Sequence, residues 1–494
     1  MMATSTDFFT TTIPLPKTPT GIQGLDDILL GGLPQGQTTL VSGGPGTGKT
    51  LMGLEFLYRG ALAGEPGIFV TFEESAESVR RNLRALGWNL QAMEESGKLY
   101  ILQAEVPPDI ILSGEFNIDG LLAIIGGQVQ SMGAKRLVID AMDGLLRIFH
   151  NRAQQQDQLY TLHYWLRQQE ITCIFTMKHL HGKTALYGIL DYLVDCVLQL
   201  DQRVVGQITT RRLRVLKYRG SGFLSNEYPY VISARGIEII PISISQLWQQ
   251  PLGVPVLTGN RQLDILLGGG FRRAASILLA GSSGTGKTTL ASSFALAACD
   301  RGERVLYISF EESEGAIVDT MLSPGIDLRS ALAAQRLKFL TALPESRGVE
   351  EHLLRILHTT EEFQPDYLIL ETLSACQRMG TERAGFDFSV RLIDNCKVKG
   401  ITSLYTNQIR PSPPGLSLDM EEISGVGISS LMDTLVLLEQ RWSSSEYKRQ
   451  LLIIKSRGSN HSHRFHPFTI SDQGILFNSP LIGDLSDMPE ETSQ

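Results

Sequence analysis

Two stretches of this chain carry the same eight-residue pattern in the same local setting. Gly43-Gly44-Pro45-Gly46-Thr47-Gly48-Lys49-Thr50 follows the apolar run Thr39-Leu40-Val41 and leads into an apolar segment at 51–57. Gly281-Ser282-Ser283-Gly284-Thr285-Gly286-Lys287-Thr288 follows Ser276-Ile277-Leu278-Leu279-Ala280 and leads into small residues at 290–298. A backbone with few Cβ atoms lets successive N–H groups turn inward around phosphate oxygens at a helix N-terminus. The lysine then reaches the β and γ phosphates, and the threonine hydroxyl holds Mg²⁺. Each stretch is therefore expected to be a strand, a phosphate-binding loop and a helix.

The repetition extends well beyond the loops. Thr20-Gly21, Leu25-Asp26 and Gly31-Gly32 recur as Thr258-Gly259, Leu263-Asp264 and Gly269-Gly270. Phe72-Glu73-Glu74-Ser75 recurs as Phe310-Glu311-Glu312-Ser313, and Arg219-Gly220-Ser221 as Arg457-Gly458-Ser459, all at the offset of 238 that separates Lys49 from Lys287. So long a period means two copies of a whole domain rather than a solenoid. With 494 residues, 42% of them apolar, there is material for two sizeable cores. The expected division is a flexible N-terminal arm at 1–13, a first domain at 14–240, a linker at 241–255, a second domain at 256–482 and a short acidic tail at 483–494.

Within each copy, short apolar runs alternate with helical periodicity. In the first, 67–72, 98–102, 136–140 and 172–176 read as strands, and 75–86 and 159–169 as helices. Continuous apolar strands separated by helices predict an α/β fold with a mainly parallel sheet covered on both faces. Ligands of such sheets bind beyond the carboxyl ends of the strands.

Two kinds of acid lie at those ends. Glu73-Glu74 and Glu311-Glu312 can orient and deprotonate an attacking water or hydroxyl beside a bound triphosphate. Acids also favour the first turn of a helix, but their repetition beside both loops favours catalysis. Asp140, closing Leu137-Val138-Ile139, fits the magnesium-holding acid of a P-loop ATPase, and Glu371, closing Tyr367-Leu368-Ile369-Leu370, is its counterpart. A third, basic element comprises Arg214, Lys217 and Arg219, and Arg449, Lys455 and Arg457, on late strands. Lys and Arg of each Lys-x-Arg share one face there, suited either to neutralising phosphate or to protecting a sheet edge.

The net charge of −8 weighs against a protein that holds a nucleic-acid backbone. Five cysteines without a C-x-x-C pair read as buried small hydrophobes of a reducing cytoplasm. No apolar run approaches the length that spans a bilayer, so no membrane association is expected.

Taken together, the two P-loops, the two Phe-Glu-Glu pairs, the Leu-Asp…Gly-Gly runs and the Lys-x-Arg-Gly strands resemble the KaiC family of cyanobacterial clock proteins from about residue 14 to 474. The resemblance implies two RecA-like P-loop NTPase domains per subunit, stacked as two rings of a homo-hexamer with ATP and Mg²⁺ between subunits. It implies an ATPase in the first domain and, in the second, an autokinase that also reverses its own phosphorylation. Carried over, Gly46, Thr47, Gly48, Lys49, Thr50 and Leu51 match the first nucleotide site, with Lys217 and Arg219 from the adjacent subunit. Ser283, Gly284, Thr285, Gly286, Lys287, Thr288 and Thr289 match the second, with Arg449, Lys455, Arg457, Ser459 and His461 opposite. Thr50 and Thr288 match Mg²⁺ ligands. Glu73 and Glu74 match the water-activating pair. Glu311, also a candidate metal ligand, matches the general base of the kinase step, with Glu312 beside it, and Arg378 an arginine close to the phosphate.

The family's phosphoacceptor pair corresponds to Ser429-Ser430, ahead of Asp433-Thr434. A KaiB-like or other signalling partner is implied, whereas the short tail carries little of the pattern that binds KaiA. The rival expectations are a RecA-like DNA-dependent ATPase and a two-ring ATP-dependent scaffold without kinase activity.

Overall fold

The computed structural model describes residues 15–104, 118–149, 151–178, 185–205, 208–240, 250–409, 427–443 and 446–477. The chain divides into two compact units, Met1–Val204 with Thr209–Ile242 and Val205–Ile208 with Ser243–Gln494.

Each unit is built on a nine-stranded sheet with the same order. In the first, six strands run parallel in the order Leu99–Gln103, Gly67–Thr71, Arg136–Asp140, Thr172–Lys178, Thr38–Gly43 and Cys196–Val205. Ile208–Tyr218, Glu227–Ser233 and Gly236–Ile239 complete it as an antiparallel meander. In the second, Leu337–Thr341, Val305–Ser309, Tyr367–Glu371, Thr402–Gln408, Ser276–Gly281 and Thr434–Ser443 are parallel. Glu446–Ser456, His466–Ser471 and Gly474–Phe477 follow antiparallel. This is the α/β architecture the alternation implied.

The parallel strands are continuous apolar runs because both their faces are covered. Successive residues of Thr38–Gly43 serve opposite cores. Val41 packs with Phe56 and Leu57 of the helix Lys49–Leu62, whereas Leu40 packs with Leu122 and Leu162 of Ile118–Met132 and Arg152–Gln169. In the second unit Leu279 joins Leu290 and Phe294 of the helix Lys287–Asp300.

The repeated Thr-Gly…Leu-Asp…Gly-Gly pattern has a local structural cause. Asp26 accepts hydrogen bonds from Thr20 N (2.8 Å), Thr20 Oγ1 (2.7 Å) and Gly21 N (3.0 Å), and Asp264 accepts one from Thr258 N (2.8 Å). These bonds close the loop that joins Lys17–Thr18 to Leu33–Pro34, and Pro255–Val256 to Phe271–Arg272. At the return, Gly32 (φ +129°) and Gly270 (φ +111°) pass so close to the opposite strand that a Cβ would lie 2.2 Å from Thr18 O and 2.1 Å from Val256 O.

Two expectations differ in extent. The helix expected at 159–169 begins earlier, at Arg152, as Arg152–Gln169, capped by Asn151 Oδ1, which accepts from Gln154 N (2.9 Å). Its Gln-rich first turns lack apolar periodicity, so the pattern was silent there. The expected linker ends in ordered structure, because Gly253 N and Arg273 N exchange backbone bonds with Arg273 O and Val254 O (both 3.0 Å), and Pro255 is in a strand. Residues 1–13, 241–249 and 483–494 lie outside the described residues. All five cysteines are free and buried. Among the described residues, no helix is long and apolar enough to cross a membrane.

Gly32→Ala and Gly270→Ala should each destabilise the unit that carries it by about 1–3 kcal/mol, through a Cβ clash combined with positive φ. Urea unfolding followed by circular dichroism measures this. Wild-type midpoints in both variants would refute the close-approach explanation.

Candidate nucleotide sites

The phosphate loops sit where the fold places ligand sites, at the carboxyl ends of central strands. Gly48 (φ +87°) and Gly286 (φ +99°) are left-handed N-caps that turn the chain from loop into helix, a conformation open to glycine at little cost. Lys49 Nζ folds onto Gly44 O (2.8 Å), and Lys287 Nζ onto Gly281 O and Ser282 O (2.8 Å each). Thr47 and Thr285 are buried and donate to Gly44 O and Ser282 O at 2.8 Å, bracing the loops from within. Leu51 packs against the first core, and Thr289 is buried in the first turn of the second helix. Ser283 borders a cleft of about 590 Å³ shared with Gln408, Gln440 and Tyr447.

Thr50 and Thr288 each donate to a carboxylate at the end of a strand two places along the sheet from their own phosphate-loop strand. Thr50 Oγ1 reaches Asp140 Oδ2 at 3.0 Å, and Thr288 Oγ1 bonds Glu371 Oε1. The two acids are only 6% and 8% exposed. A hydroxyl and a carboxylate at the mouth of a phosphate loop are hard oxygen donors, the set that Mg²⁺ takes up beside phosphate. Among the described residues no group of three or more His, Cys, Asp or Glu could hold a metal by itself. The threonine hydroxyl and the carboxylate would supply two oxygen ligands to a metal whose other ligands come from nucleotide and water.

The Glu-Glu pairs are split by their partners. Lys178 Nζ contacts Glu73 at 3.1 Å, both side chains being a little over a third exposed. Glu74 turns to Asn82 Nδ2 (3.4 Å), and its backbone is held by Thr71 Oγ1. In the second unit Glu311 lies 3.6 Å from Arg378, which also contacts Glu345 at 3.4 Å. Glu312 N is held by Ser309 Oγ (3.1 Å), and the serines that follow each pair, Ser75 and Ser313, cap the next helices.

The basic residues fall into two groups at opposite ends of the sheet. Lys217 Nζ donates to Val194 O (2.6 Å), and Arg219 to Tyr192 O (2.6 Å), with Asp195 3.5 Å away. Asp195 N bonds Thr38 O, at the start of the phosphate-loop strand. Lys455 Nζ donates to Ser429 O (3.3 Å), and Arg457 to Ser430 O (3.1 Å) and Asp433 Oδ1 (3.4 Å). Asp433 accepts from Ser276 N (2.9 Å) at the start of the second phosphate-loop strand. Five residue steps, about 16 Å at ~3.3 Å each, thus separate both groups from the loops of their own chain. Ser429 and Ser430 open the 3₁₀ turn Ser429–Leu431, in the place that Asp191-Tyr192 takes in the first unit. Ser459 Oγ bonds Leu267 O, and the His461 ring lies against His463 with ring centres 4.5 Å apart and planes tilted by 57°.

Arg449 belongs to the other end. Its Nε donates to Gly284 O (3.1 Å) in its own loop, as Arg211 Nε does to Gly46 O (3.3 Å). The sequence pattern groups Arg449 with Lys455 and Arg457. The strand carries them to opposite ends, and its true first-unit equivalent is Arg211 rather than Arg214.

Residues 18–244 and 256–481 each match the family described as "ATPase: KaiC". The chain belongs to the KaiC family of ATPases. It is 38% identical to the circadian clock protein KaiC2 of a Synechocystis species, over 96% of this chain and 83% of that protein. It is 35% identical to the circadian clock oscillator protein KaiC of Synechococcus elongatus, over 93% and 88%. With the Synechocystis circadian clock protein KaiC3 it shares 32% identity over 97% and 96%. ATP is the nucleotide that a KaiC-family chain takes at such loops.

Sequence reasoning missed Lys178 and Arg211 in this KaiC-family site. Lys178 lies on the strand beside the phosphate-loop strand, and Arg211 on the second strand along in the other direction, so only strand order brings them there. Burial lowers the pKa of Lys49 and Lys287, and nearby acids only partly offset it. Burial likewise raises Asp140, against hydrogen bonds from Thr176 and Thr50, and raises Glu371, against bonds from Thr288 and Tyr307.

A carboxyl with a raised folded pKa binds its proton more tightly in the folded state. Its contribution to stability is full below the unfolded value of about 4 and is lost as pH climbs through the raised value. In nucleotide-free protein, Asp140→Asn should therefore gain stability relative to wild type between about pH 4 and pH 7. Urea titrations across that range test the sign; a pH-independent difference would contradict it.

Proposed function

We propose that the chain is a circadian-clock or signalling ATPase that hydrolyses ATP at the first site and phosphorylates Ser429 or Ser430 at the second. It works as a homo-hexamer, with each nucleotide held between neighbouring subunits. The observation that carries this reading is the separation of about 16 Å between each phosphate loop and the Lys-x-Arg end of the same sheet. A loop and an acceptor too far apart within one subunit can meet across a boundary between two.

In this reading Lys49 and Lys287 exchange their carbonyl partners for β and γ phosphate oxygens. Magnesium, when bound beside Thr50 and Asp140 or beside Thr288 and Glu371, supplies neutralisation of charge on the phosphates. In the first site Glu73 orients water and takes its proton, and Glu74 supports the turn. In the second, a neighbour's Ser429 or Ser430 Oγ attacks the γ phosphorus, its proton passes to Glu311, and ADP leaves with the bridging oxygen. Arg378, beside Glu311, is suited to meet charge on the transferred group, with Glu312 behind it. Lys217, Arg219, Arg449, Lys455, Arg457, Ser459 and His461 complete the nucleotide contacts. Asp191 and Tyr192 replace the serines in the first unit, which agrees with hydrolysis there and phosphorylation in the second. A KaiB-like partner and a cytoplasmic setting accompany this reading. The net charge of −8 gives no support to a DNA-dependent motor.

Incubation with Mg²⁺ and γ-labelled ATP should place label on Ser429 or Ser430, located by mass spectrometry. Glu311→Gln should lower the incorporation by roughly 10²–10⁴-fold. Mixed assemblies of Glu311→Gln subunits and Ser429→Ala/Ser430→Ala subunits should recover label on the Glu311→Gln chains. Hydrolysis of ATP with no label on wild type would leave a two-ring ATPase scaffold instead.

A further inference from the structure

The second site differs from the first by a correlated set of buried substitutions around its strand-end acid. Where the first unit has Asp140, Phe69 and Leu54, the second has Glu371, Tyr307 and Ser292. The backbone settings are equivalent. Phe69 pairs in register with Val138, two residues before Asp140, and Tyr307 with Ile369, two residues before Glu371. Phe69, Tyr307 and Ser292 are fully buried, and Leu54 nearly so.

The hydrogen bonds have been redistributed accordingly. Asp140 holds Thr50 with one oxygen, and the other accepts from Thr176. Thr406 stands where Thr176 does, facing Leu279 in register as Thr176 faces Val41. Among the described residues, however, the Thr406 hydroxyl has no hydrogen-bond partner. The additional methylene of Glu371 carries its carboxylate past Thr406. One oxygen accepts from Thr288, and the other accepts from Tyr307 Oη at 2.6 Å. Ser292 lies beside the phenol without a hydrogen bond of ordinary geometry, giving a polar lining where Leu54 would present methyl groups.

We propose that Tyr307 is a positioning residue of the second nucleotide site, whose phenol fixes the Glu371 carboxylate against Thr288 and so makes glutamate competent in a role that aspartate fills in the first site. The proposal rests on the reading that Glu371 holds magnesium. A core role for the tyrosine ring, which packs 4.9 Å from Phe339, would be unaffected by removing its hydroxyl. Positioning depends on that hydroxyl, because a buried carboxylate oxygen without a donor swings or draws in water.

The test compares the full chain with Tyr307→Phe, Glu371→Asp and the double variant, each in a Lys49→Ala background that silences the first site. Two quantities are read: the melting temperature without nucleotide or metal, and the Mg²⁺ concentration that half-saturates binding of a fluorescent ATP analogue. Each single change should raise that Mg²⁺ requirement roughly 10-fold, the usual effect of losing a residue that orients a metal ligand, and lower the melting temperature. Aspartate with phenylalanine rebuilds the first unit's arrangement, with Thr406 as donor. The double variant should therefore return to within about 3-fold of wild type and melt higher than either single variant.

Wild-type magnesium dependence in Tyr307→Phe, or effects that simply add in the double variant, would overturn the proposal. If a single variant does not fold, the reciprocal transplant decides. Asp140→Glu with Phe69→Tyr and Leu54→Ser should keep magnesium-dependent binding at the first site where Asp140→Glu alone loses it, and equal loss in both would refute the pairing. Should magnesium leave nucleotide affinity unchanged in all four proteins, the metal-holding role of Glu371 falls, while the melting temperatures still decide whether Tyr307 and Glu371 act as a pair.

Discussion

The interaction on which both units depend is the burial of one six-residue strand on both faces and along both edges. Thr38–Gly43 and Ser276–Gly281 are buried at every position and have parallel partners on either side. With all lateral hydrogen bonds used, such a strand can present chemistry only at its ends. The carboxyl end opens into the glycine loop, whose free N–H groups and following helix favour an anion. The amino end is closed by an aspartate immediately before the neighbouring strand, Asp195 or Asp433. Asp433 is an ion-pair hub there, 3.1 Å from the buried Lys397 and 3.4 Å from Arg457.

The strand is rigid, so these two ends are fixed poles. One gathers Lys49, Thr50, Asp140 and Glu73, or their second-unit equivalents. The other gathers the Lys-x-Arg residues and, in the second unit, two serine hydroxyls. At the loops, lysines rest on carbonyls and buried carboxylates face them, so groups desolvated by the fold have compensation that is only partial. A bound triphosphate with its counter-ion matches this imbalance, since it brings negative charge to the lysine and positive charge to the carboxylate.

The two copies preserve this framework while altering its fittings. Glutamate for aspartate at a strand end, with tyrosine for phenylalanine and serine for leucine behind it, keeps the acid against the helix-opening threonine by a different set of bonds. The first unit pairs Glu73 with a lysine from the strand beside the phosphate-loop strand, and the second pairs Glu311 with an arginine from a 3₁₀ turn, Leu373–Met379. The loop-closing Asp26 and Asp264 and the glycines they hold are the same in both units.

Much of this was legible in the residues, because the information was local. Glycine spacing and strand-length apolar runs are read within a dozen positions, and the offset of 238 declared the second unit a copy of the first. The early turns of Arg152–Gln169 were invisible because glutamines carry no periodicity. Lys178, Arg211 and Tyr307 were passed over because their partners lie at sequence separations of 105, 165 and 64. The sequence by itself determined two phosphate-loop domains and the residue types at their strand ends. Only the tertiary structure decided which of Glu73 and Glu74 meets a lysine, which arginine stands at which pole, and how Glu371 is held. Those outcomes depend on strand order and on side-chain reach across the sheet, and neither is encoded in spacing along the chain.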